Sequence, residues 1–133
     1  MILVDTSVLI DFLRGRDTAA ARRLVALEET GTPFGLPLVC GQEVLQGAKD
    51  EREWRTLRAY LGSQRLVAPR DPEAVHWEAA RIFFDCRRKR ITVRSTIDCF
   101  IAALVLEAPD TLLHDDDDFQ QITRVRRLAT LRG

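Results

Sequence analysis

The sequence predicts an α/β fold built on a mainly parallel sheet. Short apolar runs alternate with longer amphipathic stretches, the pattern of strands that are covered by the helices connecting them. The first run, Ile2–Val4, is too short for a core helix and leads directly into polar residues able to start one. The chain has 133 residues, 46% of them hydrophobic and with no net charge, enough to bury a core without disulfides or structural metal. There is no internal repeat or linker, and the only low-complexity stretch is Asp115–Asp118, so residues 1–133 are expected to form one domain.

The elements follow in order. Ile2–Val4 predicts a buried strand, and Thr6 or Ser7 caps a short helix through Leu13 that Gly15 closes. Asp17 or Thr18 opens a second helix carrying Ala21, Leu24, Val25 and Leu27, which Gly31–Pro33 breaks. Phe34–Leu36 predicts a strand, Pro37 starts a helix running to about Gly47, and Glu51–Leu61 forms another before a strand at Arg65–Val67. Pro72 sits in the first turn of a long helix, where its missing N–H costs nothing, and Val75, Ala79, Ile82 and Phe83 carry the pattern toward Arg87. Ser95 begins the most apolar helix, through Leu106. A strand at Thr111–Leu113 follows, and a weaker one near Leu128–Leu131 ends the chain.

Composition excludes several classes. No apolar run approaches the roughly 20 residues of a membrane span, and Met1 leads into Ile2, Leu3 and Val4 without a basic leader, which points to a cytoplasmic protein. Cys40, Cys86 and Cys99 are odd in number and match no zinc-ribbon or C-x-x-C spacing, so they are expected to be reduced and buried. Twenty basic residues balance twenty acidic ones, so any polyanion must be met by local charge. Bases crowd at Arg87, Arg88, Lys89 and Arg90 and again at Arg124, Arg126 and Arg127, while acids crowd at Asp115–Asp118. Trp54, Tyr60 and Trp77 fall on apolar helix faces and are expected in the core or at an interface rather than as base-stacking platforms.

Four places hold carboxylates that need explaining. Asp5 directly follows a buried strand, the end at which ligands bind in open α/β sheets, although a helix cap is its simplest use. Glu43 occupies a gap in the buried stripe formed by Leu36, Val39, Cys40, Val44 and Gly47, a place where a charge wants a cation, a donor or an edge reaching water. Asp98 stands three residues after Ser95, the spacing of a capping box. Asp115–Asp118 follow a strand end, with His114 expected to act as a local hydrogen-bonding residue. The run lacks the alternating ligands, glycine and distant Glu of an EF-hand. Acids gathered without bases repel, by about 4 kcal/mol for two unit charges 4 Å apart at an effective dielectric of 20. A hard divalent cation relieves that repulsion, and such acid clusters suit phosphodiester hydrolysis.

The opening Val-Asp-Thr-Ser-Val-Leu-Ile, the internal Glu43, the Thr-Val-Arg-Ser-Thr-Ile-Asp-Cys block and the late His-Asp-Asp-Asp-Asp-Phe block together resemble the PIN-domain family, and within it the VapC-type toxins of bacterial toxin–antitoxin pairs. The resemblance covers essentially the whole chain. It implies a three-layer α/β/α domain, an endoribonuclease dependent on Mg²⁺ or Mn²⁺, a homodimer, and inhibition by a small VapB-like antitoxin. The antitoxin's C-terminal segment would occupy a groove above the site. Asp5, Glu43, Asp98 and Asp116 match the family's acidic quartet. Asp118 matches a further acid, with Phe119 setting the register against Asp115 and Asp117.

The resemblance makes Asp5, Asp98, Asp116 and Asp118 metal ligands and Glu43 a ligand or water-orienting base. Thr6, Ser7 and Ser95 are supporting polar residues, and Arg94 is similar to a family residue near the site. Arg87, Arg88, Arg90 and Arg94 are the expected contacts to RNA phosphates. Two other functions are weighed beside this one. An aspartyl-phosphate phosphotransferase would want a second Asp two positions after Asp5, where Ser7 stands, and a catalytically inactive protein-binding module would keep the fold without cleavage.

Overall fold

The computed structural model describes residues 1–133. Its elements are β1 (Ile2–Val4), α1 (Thr6–Leu13), α2 (Ala19–Thr30), β2 (Phe34–Pro37), α3 (Leu38–Gln46), α4 (Glu51–Gly62) and β3 (Leu66–Val67), followed by α5 (Pro72–Arg88), α6 (Thr96–Leu106), β4 (Thr111–His114), α7 (Asp117–Ile122) and β5 (Thr130–Arg132). The five strands form one parallel sheet in the order β3-β2-β1-β4-β5. The chain runs outward from β1 through β2 to β3, then crosses back to place β4 on the other side of β1. The strand order therefore reverses between β1 and β4, the crevice where ligands bind in sheets of this kind.

The strands are short because both faces are covered. Side chains alternate along each strand: Leu3 and Leu112 pack with α5, α6 and α7, while Val4, Leu36 and Leu113 pack with α1, α2 and α4. Helix α3 serves both layers, giving Cys40 to one and Val44 to the other. The result is the three-layer α/β/α arrangement. Helix α6 is buried almost all round, from Asp98 and Cys99 through Ile101–Val105, because α5 covers it on one side and the sheet on the other. All three cysteines are buried and unpaired, as expected from their number. No helix is long and apolar enough to cross a membrane.

Several local expectations change. The N-cap of α1 is Asp5 itself, whose side chain accepts from the Ser7 N–H, not Thr6 or Ser7. Thr18 caps α2, while Asp17 pairs with Arg22. Ser95 occupies the N-cap position of α6 but makes no side-chain capping bond, so the capping box with Asp98 does not form. The acidic run is not a solvated loop: Asp116 caps α7, and Asp117 and Asp118 lie in its first turn, where carboxylates complement the helix dipole. The last strand begins at Thr130, two residues later than the pattern suggested. Trp54 and Trp77 leave the core altogether, 44% and 66% exposed.

Gly35 lies in the middle of the sheet between β1 and β3. A Cβ there would meet Val67 Cγ2 at 2.7 Å, Leu3 Cδ2 at 3.2 Å and Met1 Cε at 3.3 Å. Neither the branched Val67 nor the buried Leu3 can swing clear without moving a strand, so Gly35→Ala is expected to lower stability by about 1–3 kcal/mol, measured by urea denaturation. An unchanged midpoint would mean that the β2–β3 edge is looser than its packing implies.

Candidate active site

The carboxylates converge on the carboxyl ends of β1 and β4. Asp5 follows β1 and is tied to the neighbouring strand by its backbone N–H, which donates to the Leu113 carbonyl at 2.9 Å. Its Oδ2 accepts from the Ser7 N–H at 3.1 Å and from Ser7 Oγ at 2.6 Å, and the same hydroxyl accepts from the Asp115 N–H at 3.1 Å. Ser7 therefore clamps the two strand ends together. Glu43, half-buried on α3, accepts from Thr6 Oγ1 at 2.7 Å, so it sits at an edge with a donor rather than deep in the apolar stripe. Thr6 and Ser7, the residues expected to support the site, donate to Glu43 and Asp5 respectively.

Asp98, Asp116 and Asp118 meet from three elements. Each offers an oxygen, and these oxygens all lie within 4.8 Å of one another. Asp98 and Asp118 are buried, only 7% and 3% exposed, and Asp116 is half-buried. Asp5 is also buried and close enough to raise the pKa of Asp98, yet it is not part of that tight triple. Oxygen-only donors crowded at a buried spot fit a hard divalent cation, while the three cysteines and His114 lie elsewhere in the core, leaving no soft donor in the triple.

The electrostatics record the strain of bringing these acids together. Burial, followed by a hydrogen bond to Asp118 and the charges of Asp5, Asp116 and Asp118, pushes Asp98 up to about 9. Burial likewise raises Asp5 to about 6, against the hydrogen bonds from Ser7. Asp118 goes the other way. Burial opposes its charge, but the Asp98 hydrogen bond and donors from Arg94 and Ser95 hold it below the usual carboxylate range. Its Oδ2 accepts the Arg94 N–H at 3.0 Å and the Ser95 N–H at 3.1 Å, and its Oδ1 accepts Arg94 Nε at 3.3 Å. Two backbone donors and one from the guanidinium thus hold the Asp118 carboxylate.

Arg94, expected near the site and at RNA phosphates, has its guanidinium across the acids, with Nη2 3.3 Å from Asp116 Oδ1 and Nε on Asp118. Ser95 reaches the site through its backbone, not its hydroxyl. The four consecutive aspartates divide by parity: Asp116 and Asp118 turn inward, whereas Asp115 and Asp117 pair with Arg132 of β5 at 3.3 and 2.7 Å. Sequence reasoning missed Arg132, which lies far along the chain and carries no motif. His114 is fully buried, its Nδ1 accepting the Asp116 N–H at 3.2 Å, its Nε2 facing the Gln120 amide and its ring against Phe119. Burial, with Arg132 nearby, lowers its pKa, keeping the imidazole neutral in this local role. Arg87, Arg88 and Arg90 are exposed at the end of α5, outside the acidic cluster.

Beside the acids, a groove of about 940 Å³ opens between α3, α4, β3 and α6. Its lining includes Val39, Leu61, Val67, Ile97 and Phe100, and the exposed Leu38, Trp54 and Leu66 also face it. Thr96 and Ile97 carry the groove to the residue before Asp98.

Comparisons with known proteins agree with this geometry. The family model described as PIN domain matches residues 2–125. The chain is 34% identical over 132 residues, 96% of each chain, to the VapC ribonuclease Mb1587 of Mycobacterium bovis and equally to Ribonuclease VapC11 of Mycobacterium tuberculosis. The fold is similar to that in the structure of VapBC-1 from nontypeable Haemophilus influenzae, with a TM-score of 0.74 and 20% identity over 99% of this chain and 98% of that one. It is similar also to VapBC2 from Rickettsia felis, solved bound to a DNA fragment from its promoter, with a TM-score of 0.75 and 14% identity over 100% and 99% of the two chains.

Because Asp5 and Asp98 have raised pKa values, the folded state without metal holds protons that the unfolded chain releases near pH 4. Stability is therefore fully present below about pH 4 for these two groups and is lost as pH rises through about 6 and then about 9. Asp98→Asn keeps a donor for Asp118 and removes a group that must take up a proton on folding, so in EDTA at pH 8 it is expected to melt about 3–6 °C higher than the parent and to lose less stability between pH 6 and 9. A lower melting temperature for the variant under those conditions would show that Asp98 is a structural anchor rather than a repelled acid.

Proposed function

The chain belongs to the PIN-domain family and, within it, stands with the VapC ribonucleases; from that membership we propose that it is an endoribonuclease hydrolysing RNA phosphodiester bonds with a bound Mg²⁺ or Mn²⁺, and the toxin of a VapBC-type toxin–antitoxin pair. The whole of residues 1–133 is read as one ribonuclease domain working in the cytoplasm as a homodimer. The observation that carries the reading is the convergence of Asp98, Asp116 and Asp118 within 4.8 Å, beside Asp5 and Glu43, in the crevice where the strand order reverses.

Asp98, Asp116 and Asp118, with Asp5 beside them, would hold the ion. When bound, such an ion supplies positive charge to the scissile phosphate and makes a water more acidic. Glu43, held at one oxygen by Thr6, orients the attacking water with the other and takes its proton. Ser7 keeps Asp5 turned toward the site, and Asp118, whose Oδ2 accepts the Arg94 and Ser95 N–H groups, also positions the turn at Arg94 and Ser95. An aspartyl-phosphate route finds no second acid after Asp5, because Ser7 stands there and donates to it.

The apolar groove reaching Thr96 and Ile97 suits the antitoxin's C-terminal segment, with apolar side chains in the groove and an Arg or Lys sent onto the acids. Coexpression with the protein from an adjacent small reading frame is expected to give a stable complex with suppressed cleavage. If that protein neither copurifies nor inhibits, the toxin half of the reading fails.

Asp5→Asn and Asp98→Asn are each expected to abolish cleavage of a mixed RNA pool, measured on denaturing gels, while the fold is retained by circular dichroism. Excess EDTA should do the same to the parent. Mg²⁺ or Mn²⁺ at one hundred times its dissociation constant should stabilise the parent by about 2.7 kcal/mol. Parent-like cleavage in either variant, or in EDTA, would sink the metal-dependent nuclease.

A further inference from the structure

Helix α5 carries two aromatic side chains on the wrong face for a core. Its buried side is Val75, Ala79, Ile82, Phe83 and Cys86, which pack against α6 and the sheet. Trp77, Arg81, Phe84 and Arg88 are spaced by four, three and four residues, so at 100° per residue they form a narrow stripe on the opposite, outward side. Trp77 is 66% exposed, the most exposed of the large apolar side chains. Its indole Nε1 donates to Glu73 Oε1 at 3.2 Å, which limits how the ring can turn. The Phe84 ring lies under cations: the guanidiniums of Arg81, Arg88 and Arg87 are 5.0, 5.6 and 6.0 Å from its centroid.

The stripe is also basic. Residues 81–90 hold Arg81, Arg87, Arg88, Lys89 and Arg90 against one acid, Asp85, which Arg81 and Arg126 share. A two-fold pairing of this face with a second copy would press two basic patches together. A polyanion with flat, stackable rings satisfies both the charge and the aromatics. At 1.5 Å per residue the stripe is about 16 Å long, room for a few nucleotides. It leads to the site, because the chain leaves α5 after Arg88 and within six residues reaches Arg94, whose side chain touches Asp116 and Asp118.

We infer that the outward face of α5, through Trp77, Phe84 and the arginines interleaved with them, is a track that stacks the bases of single-stranded RNA leading to the acidic cluster. This rests on the ribonuclease reading and adds to it the strand's path. Trp77 supplies a ring face to a base of any identity, while Phe84, half-buried under the guanidiniums of Arg81 and Arg88, holds those cations in place for bases and phosphates. It also revises the sequence expectation that Trp77 belongs to a core or protein interface.

The test separates binding from cleavage. A full-length Trp54→Phe variant leaves Trp77 as the sole tryptophan, and a single-stranded RNA 12-mer is titrated into it in EDTA, where metal-dependent cleavage is stopped. Saturable quenching of Trp77 is expected, with less from the same sequence as a duplex. In parallel, Trp77→Ala and Phe84→Ala, both outward-facing and so expected to fold, should each weaken binding of the labelled 12-mer by about 5- to 150-fold. Arg81→Gln with Arg88→Gln should flatten the salt dependence. RNA that binds by anisotropy without quenching Trp77, or parent affinity in both alanine variants, would overturn the track. So would a Trp77→Ala variant that loses self-association but not RNA affinity. Quenching without any cleavage in Mg²⁺ or Mn²⁺ would support the track and reject the nuclease reading; cleavage without quenching would do the reverse.

Discussion

Like-charged carboxylates brought close together at the carboxyl ends of two central strands are the constraint around which this molecule is organised. Left to themselves the acids would separate, since repulsion at a few ångströms costs as much as a large fraction of a small domain's net stability. They stay because each is held from behind. Ser7 holds Asp5, Thr6 holds Glu43, backbone N–H groups of Arg94 and Ser95 hold Asp118, and Asp116 accepts the N–H of Asp118 as the cap of α7. The Arg94 guanidinium supplies the one positive charge in direct contact with the triple's oxygens. Asp98 differs from the others, because burial and the surrounding acids push its pKa well above that of an ordinary aspartate.

The fold makes such a cluster possible by being rigid just beneath it. Strands β1 and β4 lie side by side with Leu3, Val4, Leu112 and Leu113 all at most 1% exposed, so the strand ends cannot splay when the charges push. Helix α6 delivers Asp98 from its first turn, and the apolar remainder of that helix is enclosed by α5 and the sheet. His114 and Phe119 close the floor under the acidic run. A neutral imidazole accepting the Asp116 N–H keeps that turn in shape without adding charge. The acids are thus mounted on parts of the molecule that have nowhere else to go.

Charge parity solves a problem the composition poses. Four consecutive aspartates directed at one point would be untenable, yet a strand end running into a helix sends neighbouring side chains in different directions. Asp116 and Asp118 face Arg94, while Asp115 and Asp117 face Arg132. The same separation of roles appears on α5, where one face is apolar and built into the core, and the other carries aromatics among arginines in water. A chain with no net charge therefore presents a strongly acidic cleft and a strongly basic helix end next to one another.

The sequence by itself determined the class of fold, the order of its strands and helices, and which acids stand out from the pattern. Periodicity and capping are local properties, and Asp5, Glu43, Asp98 and Asp116 stood out because carboxylates interrupt patterns that are otherwise apolar or because they fall at strand ends. It did not determine how those acids are neutralised. That the pKa of Asp98 is pushed up by burial among other acids, that Asp118 Oδ2 takes two backbone donors, and that the Arg94 guanidinium lies on the acids all depend on elements far apart in the chain meeting in space. Nor could it place Trp77, since a helical wheel shows which residues share a face but not which face the rest of the molecule covers. Arg132 pairing with Asp115 and Asp117, and Gly35 lying where no side chain fits, are likewise decided by the register of β5 and β2 in the sheet. Local sequence sets conformation through short-range sterics and hydrogen bonds; the energy of a charge depends on everything within several ångströms of it, and only the assembled tertiary structure specifies that neighbourhood.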